Sequence, residues 1–83
     1  MRMPDVNILV NAFRSDTEHH SLCKSWLEDE LKSGSPLGLS SSVLSALVRI
    51  TTHRRIFKQS SSAQEAILFC DHLVGQDAAV IIQ

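Results

Sequence analysis

Cysteine is scarce in this sequence, and that scarcity is a first constraint on what the chain can be. Only Cys23 and Cys70 occur, far apart and without a Cys-x-x-Cys spacing, which removes a disulfide framework and a cysteine zinc site. Both read as small core hydrophobes. No apolar run approaches the roughly 18 residues of a membrane span, and Met1-Arg2-Met3-Pro4-Asp5 reaches charge too early for a secretory signal. A cytoplasmic location without membrane contact is expected. Neither G-x-x-x-x-G-K-[ST] nor G-x-G-x-x-G is present, and twelve serines produce no G-x-S-x-G. P-loop, dinucleotide-binding and nucleophile-elbow chemistries are therefore set aside.

Acidic residues are missing from one stretch. Residues 31–64 carry five bases and no acid, whereas residues 1–30 carry six acids against three bases and residues 65–83 three acids and no base. A net charge of −1 hides this pattern, and any polyanion contact should run through the middle of the chain. Arg49, Arg54, Arg55 and Lys58 crowd together there, with His53 among them. Cations are also favoured near a helix C-terminus, so a solvated helix end is the structural alternative.

Hydrophobic residues at 43% and charged residues at 20% are ordinary for a folded domain. With 83 residues, 1–83 is one domain, able to bury only about 60–65% of the surface its unfolded chain exposes. Asp5 can cap a first helix whose apolar positions are Val6, Leu9, Val10 and Phe13. Ser15-Asp16-Thr17-Glu18 has the form of a capping box, and Leu22, Cys23, Trp26, Leu27 and Leu31 mark one face of a second helix ending near Gly34. Leu37-Gly38-Leu39 reads as a brief strand, after which Ser40 to Ser42 open a helix with Val43, Leu44, Leu47, Val48 and Ile50 as its core stripe. Arg54 to Ser61 reads as a loop pinned by Ile56 and Phe57. Ser62-Ala63-Gln64-Glu65 is a second capping box, and Ala63, Ala66, Ile67, Cys70, Leu73 and Val74 then recur at three and four until Gly75. Ala78 to Ile82 reads as a final strand, with a third strand expected at Met1 to Pro4.

This order predicts an α/β layer fold around a parallel sheet. A chain ending on Val80-Ile81-Ile82 leaves an adhesive strand edge, so either a missing C-terminal half or a covering partner is expected.

Asp5 stands where a strand hands over to a helix, the place at which α/β sheets bind ligands. Alone this is a weak signal, because any Asp before a helix can serve simply as its N-cap. His19 and His20 are adjacent, about 100° apart on a helix, and cannot both face one metal unaided; His53 and His72 are isolated. Trp26, at core spacing between Cys23 and Leu27, reads as packing.

Taken together, Pro4 to Phe13, His19-His20, Trp26-Leu27, Leu39-Ser40, Val43-Leu44, Leu47 to His53 and Arg55-Ile56-Phe57 resemble, in order and spacing, the N-terminal part of VapC-type PIN-domain toxins. The resemblance covers most of the chain. It implies a PIN-like three-layer α/β/α fold with a central parallel sheet, truncated here after the third strand, and a toxin–antitoxin ribonuclease that uses Mg²⁺ or Mn²⁺. It carries a catalytic metal-ligand role onto Asp5 and a site-ordering role onto Asn7. Many relatives place a glutamate on the third helix where this sequence has Ala46, and the family's later acidic motifs follow the point at which this sequence ends.

The expectation is thus a VapC-type toxin with little or no ribonuclease activity in this chain alone. Arg49, Arg54, Arg55 and Lys58 would contact RNA, and an antitoxin protein and a second copy in a homodimer would be its partners. One alternative is a non-catalytic remnant that dimerises and binds antitoxin. Another is a small helical nucleic-acid-binding module resting on the basic cluster alone.

Overall fold

The computed structural model describes residues 1–82, in which four helices and a two-stranded parallel sheet follow in the order α1 (Val6–Phe13), α2 (His20–Lys32), β1 (Leu37–Ser40), α3 (Ser41–Thr51), α4 (Ala63–Val74) and β2 (Ala79–Ile82). Each helix begins where the sequence supplies a cap, with one exception. The Asp5 carboxylate accepts from the Val6 amide, and Ser40, the last residue of β1, turns its hydroxyl to the Val43 amide. Both halves of the Ser62/Glu65 capping box form, satisfying two donors that α4 would otherwise leave bare.

The exception is α2. The expected box at Ser15 to Glu18 does not form: α2 is preceded by His19, which makes no side-chain cap. Asp16 is bound instead to Arg14, and the Thr17 hydroxyl donates back to the Arg14 carbonyl. Those bonds tie residues 14–17 to one another, and α2 starts only at His20, beyond both Ser15 and Glu18. At the other end, Gly34 takes a φ of 82° just beyond the last turn, the left-handed conformation that glycine adopts most readily at a helix stop.

β1 and β2 pair in parallel from Leu37 opposite Ala79 to Ser40 opposite Ile82, joined by the α3–loop–α4 crossover that parallel pairing requires. On the other side of β1 the expected third strand contracts to a single bridge between Arg2 and Leu37. β1 is therefore the middle element. Its side chains alternate: Leu37 and Leu39 are buried in a cluster with Leu9, Val10, Leu27, Leu47, Cys70 and Leu73, drawn from all four helices. Gly38 faces the opposite way, where a Cβ would lie 2.8 Å from both the Ile82 Cδ1 and the Met3 Cγ atoms. The glycine lets those chains lie across the strand.

Helices cover only the Leu37/Leu39 face among the described residues, so two of the three expected layers are present. On the other face Met1, Met3 and Val80 are exposed. The one-sided arrangement also leaves some helical stripes wider than their contacts. Leu22 is 70% exposed, and Ile67 and Val74 are exposed as well, although spacing placed all three on core faces. Cys70 is buried and Cys23 partly so, and neither is bonded to another cysteine. Burial, helped by the neighbouring Asp71 charge, pushes the Cys70 thiol up from its ordinary pKa. Among the described residues no helix is long and apolar enough to cross a membrane.

Candidate nucleic-acid interface

The residues singled out from sequence fall at opposite ends of the α1 region. At its start, Asp5 is exposed, with one carboxylate oxygen 2.7 Å from the Val6 nitrogen. Asn7 is also exposed; its backbone carbonyl accepts from the Asn11 side chain, and no hydrogen bond joins its own side chain to Asp5 among the described residues. Three of the four histidines are occupied locally. His20 Nδ1 lies 2.9 Å from the Asn11 carbonyl, His53 Nδ1 accepts from the Arg55 amide, and His72 meets Gln76.

The loop joining α3 to α4 carries the basic cluster. Arg54, Arg55 and Lys58 are exposed, as is Arg49 in the last turn of α3, and none pairs with a carboxylate among the described residues. Four cations without counter-charges repel one another, so this segment needs an anchor. Of the expected apolar pair, only Phe57 is partly buried; Ile56 is 55% exposed and does not pin the loop.

The anchor is Arg14, which the sequence reading did not single out. It is only 8% exposed. Its Nε and Nη2 atoms hold both Asp16 oxygens, at 2.9 and 2.6 Å, while Nη2 also donates to the Gln59 carbonyl at 2.8 Å and Nη1 to the Ser61 hydroxyl at 3.0 Å. The guanidinium carbon sits 4.0 Å from the centroid of the Phe57 ring, a cation–π distance. The Arg14 hydrogen bond and charge hold the Asp16 carboxyl below its ordinary pKa, against a smaller desolvation effect. The available signal in the sequence was an arginine directly behind an amphipathic helix, two residues before an aspartate. That pattern predicts a pair but not its long-range partners.

No protein-family model matches the chain. Curated proteins do: over 76 residues, 92% of this chain, it is 40% identical to the VapC ribonuclease Mb2897 of Mycobacterium bovis and to the ribonuclease VapC43 of Mycobacterium tuberculosis, covering 52% of each. Identity to the ribonuclease VapC25 of Mycobacterium tuberculosis is 32% over the same length, 54% of that protein. The chain matches one part of VapC-type sequences. It spans about half the length of the curated relatives it matches. The resemblance read from Pro4 to Phe57 holds.

A VapC-type site implies Mg²⁺ or Mn²⁺, and the donors available here do not fit either ion. Hard divalent cations require about six oxygen ligands, with several carboxylates in a catalytic pair. Asp5 offers one carboxylate, Ala46 offers no donor, and no group of three or more His, Cys, Asp or Glu side chains converges among the described residues. The basic loop, by contrast, has what phosphate binding requires: exposed, unpaired cations on an anchored backbone.

Proposed function

We propose that this VapC-type chain grips RNA through Arg49, Arg54, Arg55 and Lys58 and does not cleave it alone. The observation that carries the reading is the set of exposed cations, free of carboxylate partners among the described residues, at the end of α3 and on the loop after it, in an acid-free stretch. Asp5 would supply one ligand to a Mg²⁺ or Mn²⁺ site only where further carboxylates joined it, with Asn7 ordering its surroundings. A PIN-like fold, a cytoplasmic setting, self-association and an antitoxin partner belong to the same reading.

A non-catalytic antitoxin-binding role has its own support in a groove between α2 and α4. Ala12, Leu27, Leu31, Phe69 and Leu73 line it, with Lys24, Glu28 and His72 also present. An amphipathic helix suits such a groove. Co-purification with a small partner that raises the melting temperature would favour this role.

Labelled single-stranded RNA incubated with the chain and Mn²⁺ tests the main proposal. Binding should weaken with salt at a slope of about −0.7 for each phosphate neutralised, while the RNA stays intact. Mn²⁺-dependent cleavage that vanishes in Asp5→Asn would overturn the inactive reading. Salt-independent binding would overturn the role of the basic loop.

A further inference from the structure

We infer that Arg14 is a positioning residue for RNA binding: it touches no RNA itself but fixes the loop on which Arg54, Arg55 and Lys58 stand. The inference rests on the reading of that loop as the RNA contact.

The segment from Thr52 to Ser62 has no strand or helix of its own, and its charges favour its spreading apart. Its first turn is local, with the Ile56 and Phe57 amides donating to the His53 carbonyl and the Arg55 amide to the His53 ring. Beyond that turn the anchoring passes to Arg14. The guanidinium meets the Phe57 ring, the Gln59 carbonyl and the Ser61 hydroxyl, three alternate residues, and Lys58 is held outward between the first two. The bidentate Asp16 pair fixes the guanidinium in turn and neutralises it, so Arg14 adds no net repulsion to the cluster. A further backbone bond, from the Ser61 amide to the Thr51 carbonyl, closes the loop on α3. Only arginine offers a planar fork that can stack on a ring while donating in three directions.

Positioning and direct contact leave different signatures. Removing a phosphate contact lowers both affinity and the salt slope. Removing a positioning residue leaves the cations in place but mobile, so affinity falls and the slope stays.

The test uses the whole chain with two readouts: trypsin nicking after Arg54, Arg55 and Lys58, and fluorescence anisotropy with a labelled oligouridylate across a KCl series. In Arg14→Gln, nicking should accelerate about tenfold and binding weaken about 3- to 10-fold, reflecting the cost of immobilising freed side chains on binding, at an unchanged slope. Lys58→Gln should instead make the slope shallower by about 0.7 and leave cleavage after Arg55 at the wild-type rate. A folded Arg14→Gln chain with wild-type nicking, wild-type affinity or a reduced slope would overturn the inference. If Arg14→Gln does not fold, Phe57→Leu removes the ring alone and should reproduce the same pattern at smaller amplitude; wild-type nicking there would overturn it equally. Failure of the wild-type chain to bind the oligomer at any salt would sink the RNA role of the loop and the inference with it, while faster nicking in Arg14→Gln would still separate that failure from a loop that Arg14 does not hold.

Discussion

The two ends of the α1 region make opposite use of charge. At the start, the Asp5 carboxylate is exposed and, among the described residues, accepts only from the next amide along the chain. Just past the end, Arg14 is buried and gathers a carboxylate, a carbonyl, a hydroxyl and an aromatic ring from as far as Ser61. The family resemblance attaches chemistry to the first end, yet the fold concentrates its interactions at the second. An exposed carboxylate at a helix start needs no partner beyond the amide it caps, whereas a loop of like charges needs its anchor within the same chain.

The largest expected effect is on the floor that both ends share. Leu47 is fully buried beneath α1 and β1, and Leu47→Ala should cost about 2–5 kcal/mol, read as a fall in melting temperature. A loss near zero would contradict this packing.

Asp5→Ala should remove the cap of α1 and cost about 0.5–2 kcal/mol, while Asp5→Asn, which can still cap, should cost less and leave RNA binding alone. Equal losses in the two variants would show that the cap is not what Asp5 contributes to stability. Thr17→Val removes the hydroxyl that donates to the Arg14 carbonyl and should cost about 0.5–1.5 kcal/mol; a larger loss in urea unfolding would move weight from the guanidinium to the turn beside it.

The smallest effect concerns acid. Arg14 holds the Asp16 carboxyl below its ordinary pKa, so the pair's contribution is complete above the ordinary aspartate pKa and is lost as pH falls through the lowered one. Between neutrality and the ordinary aspartate range, the amide signals of Gln59 and Ser61 should not respond to Asp16, moving only at lower pH. Asp16→Asn should abolish that movement; its persistence would assign it to another group.

Much of the fold could be read from short-range rules. The Asp5 and Ser62 caps, the two strands and the extent of α4 up to Gly75 each depend on neighbours within a few residues, and each is found. The spaced segments from Pro4 to Phe57 carried the family, because order over the whole chain is more specific than any single segment. What failed depended on distant groups. The Ser15 to Glu18 segment turns beside Arg14 rather than opening α2, and the guanidinium's remaining partners lie some 45 residues away along the chain. Leu22, Ile67 and Val74 sit on helical stripes, but periodicity gives a direction rather than a neighbour, and here the neighbour is absent among the described residues. The strand expected at Met1 to Pro4 reduces to one bridge at Arg2, with Asp5 already committed to the helix. At the candidate site, Asp5 and the four cations were legible by type and position, while the residue that holds three of them in place was not.

The most direct test of the contrast between the two ends is the RNA affinity of Asp5→Asn measured beside Arg14→Gln, in Mn²⁺ at one low salt concentration. Asp5→Asn should bind with wild-type affinity and Arg14→Gln with weakened affinity. Weakened binding in Asp5→Asn with wild-type binding in Arg14→Gln would contradict that contrast, placing the working contact with RNA at the opposite end of the helix.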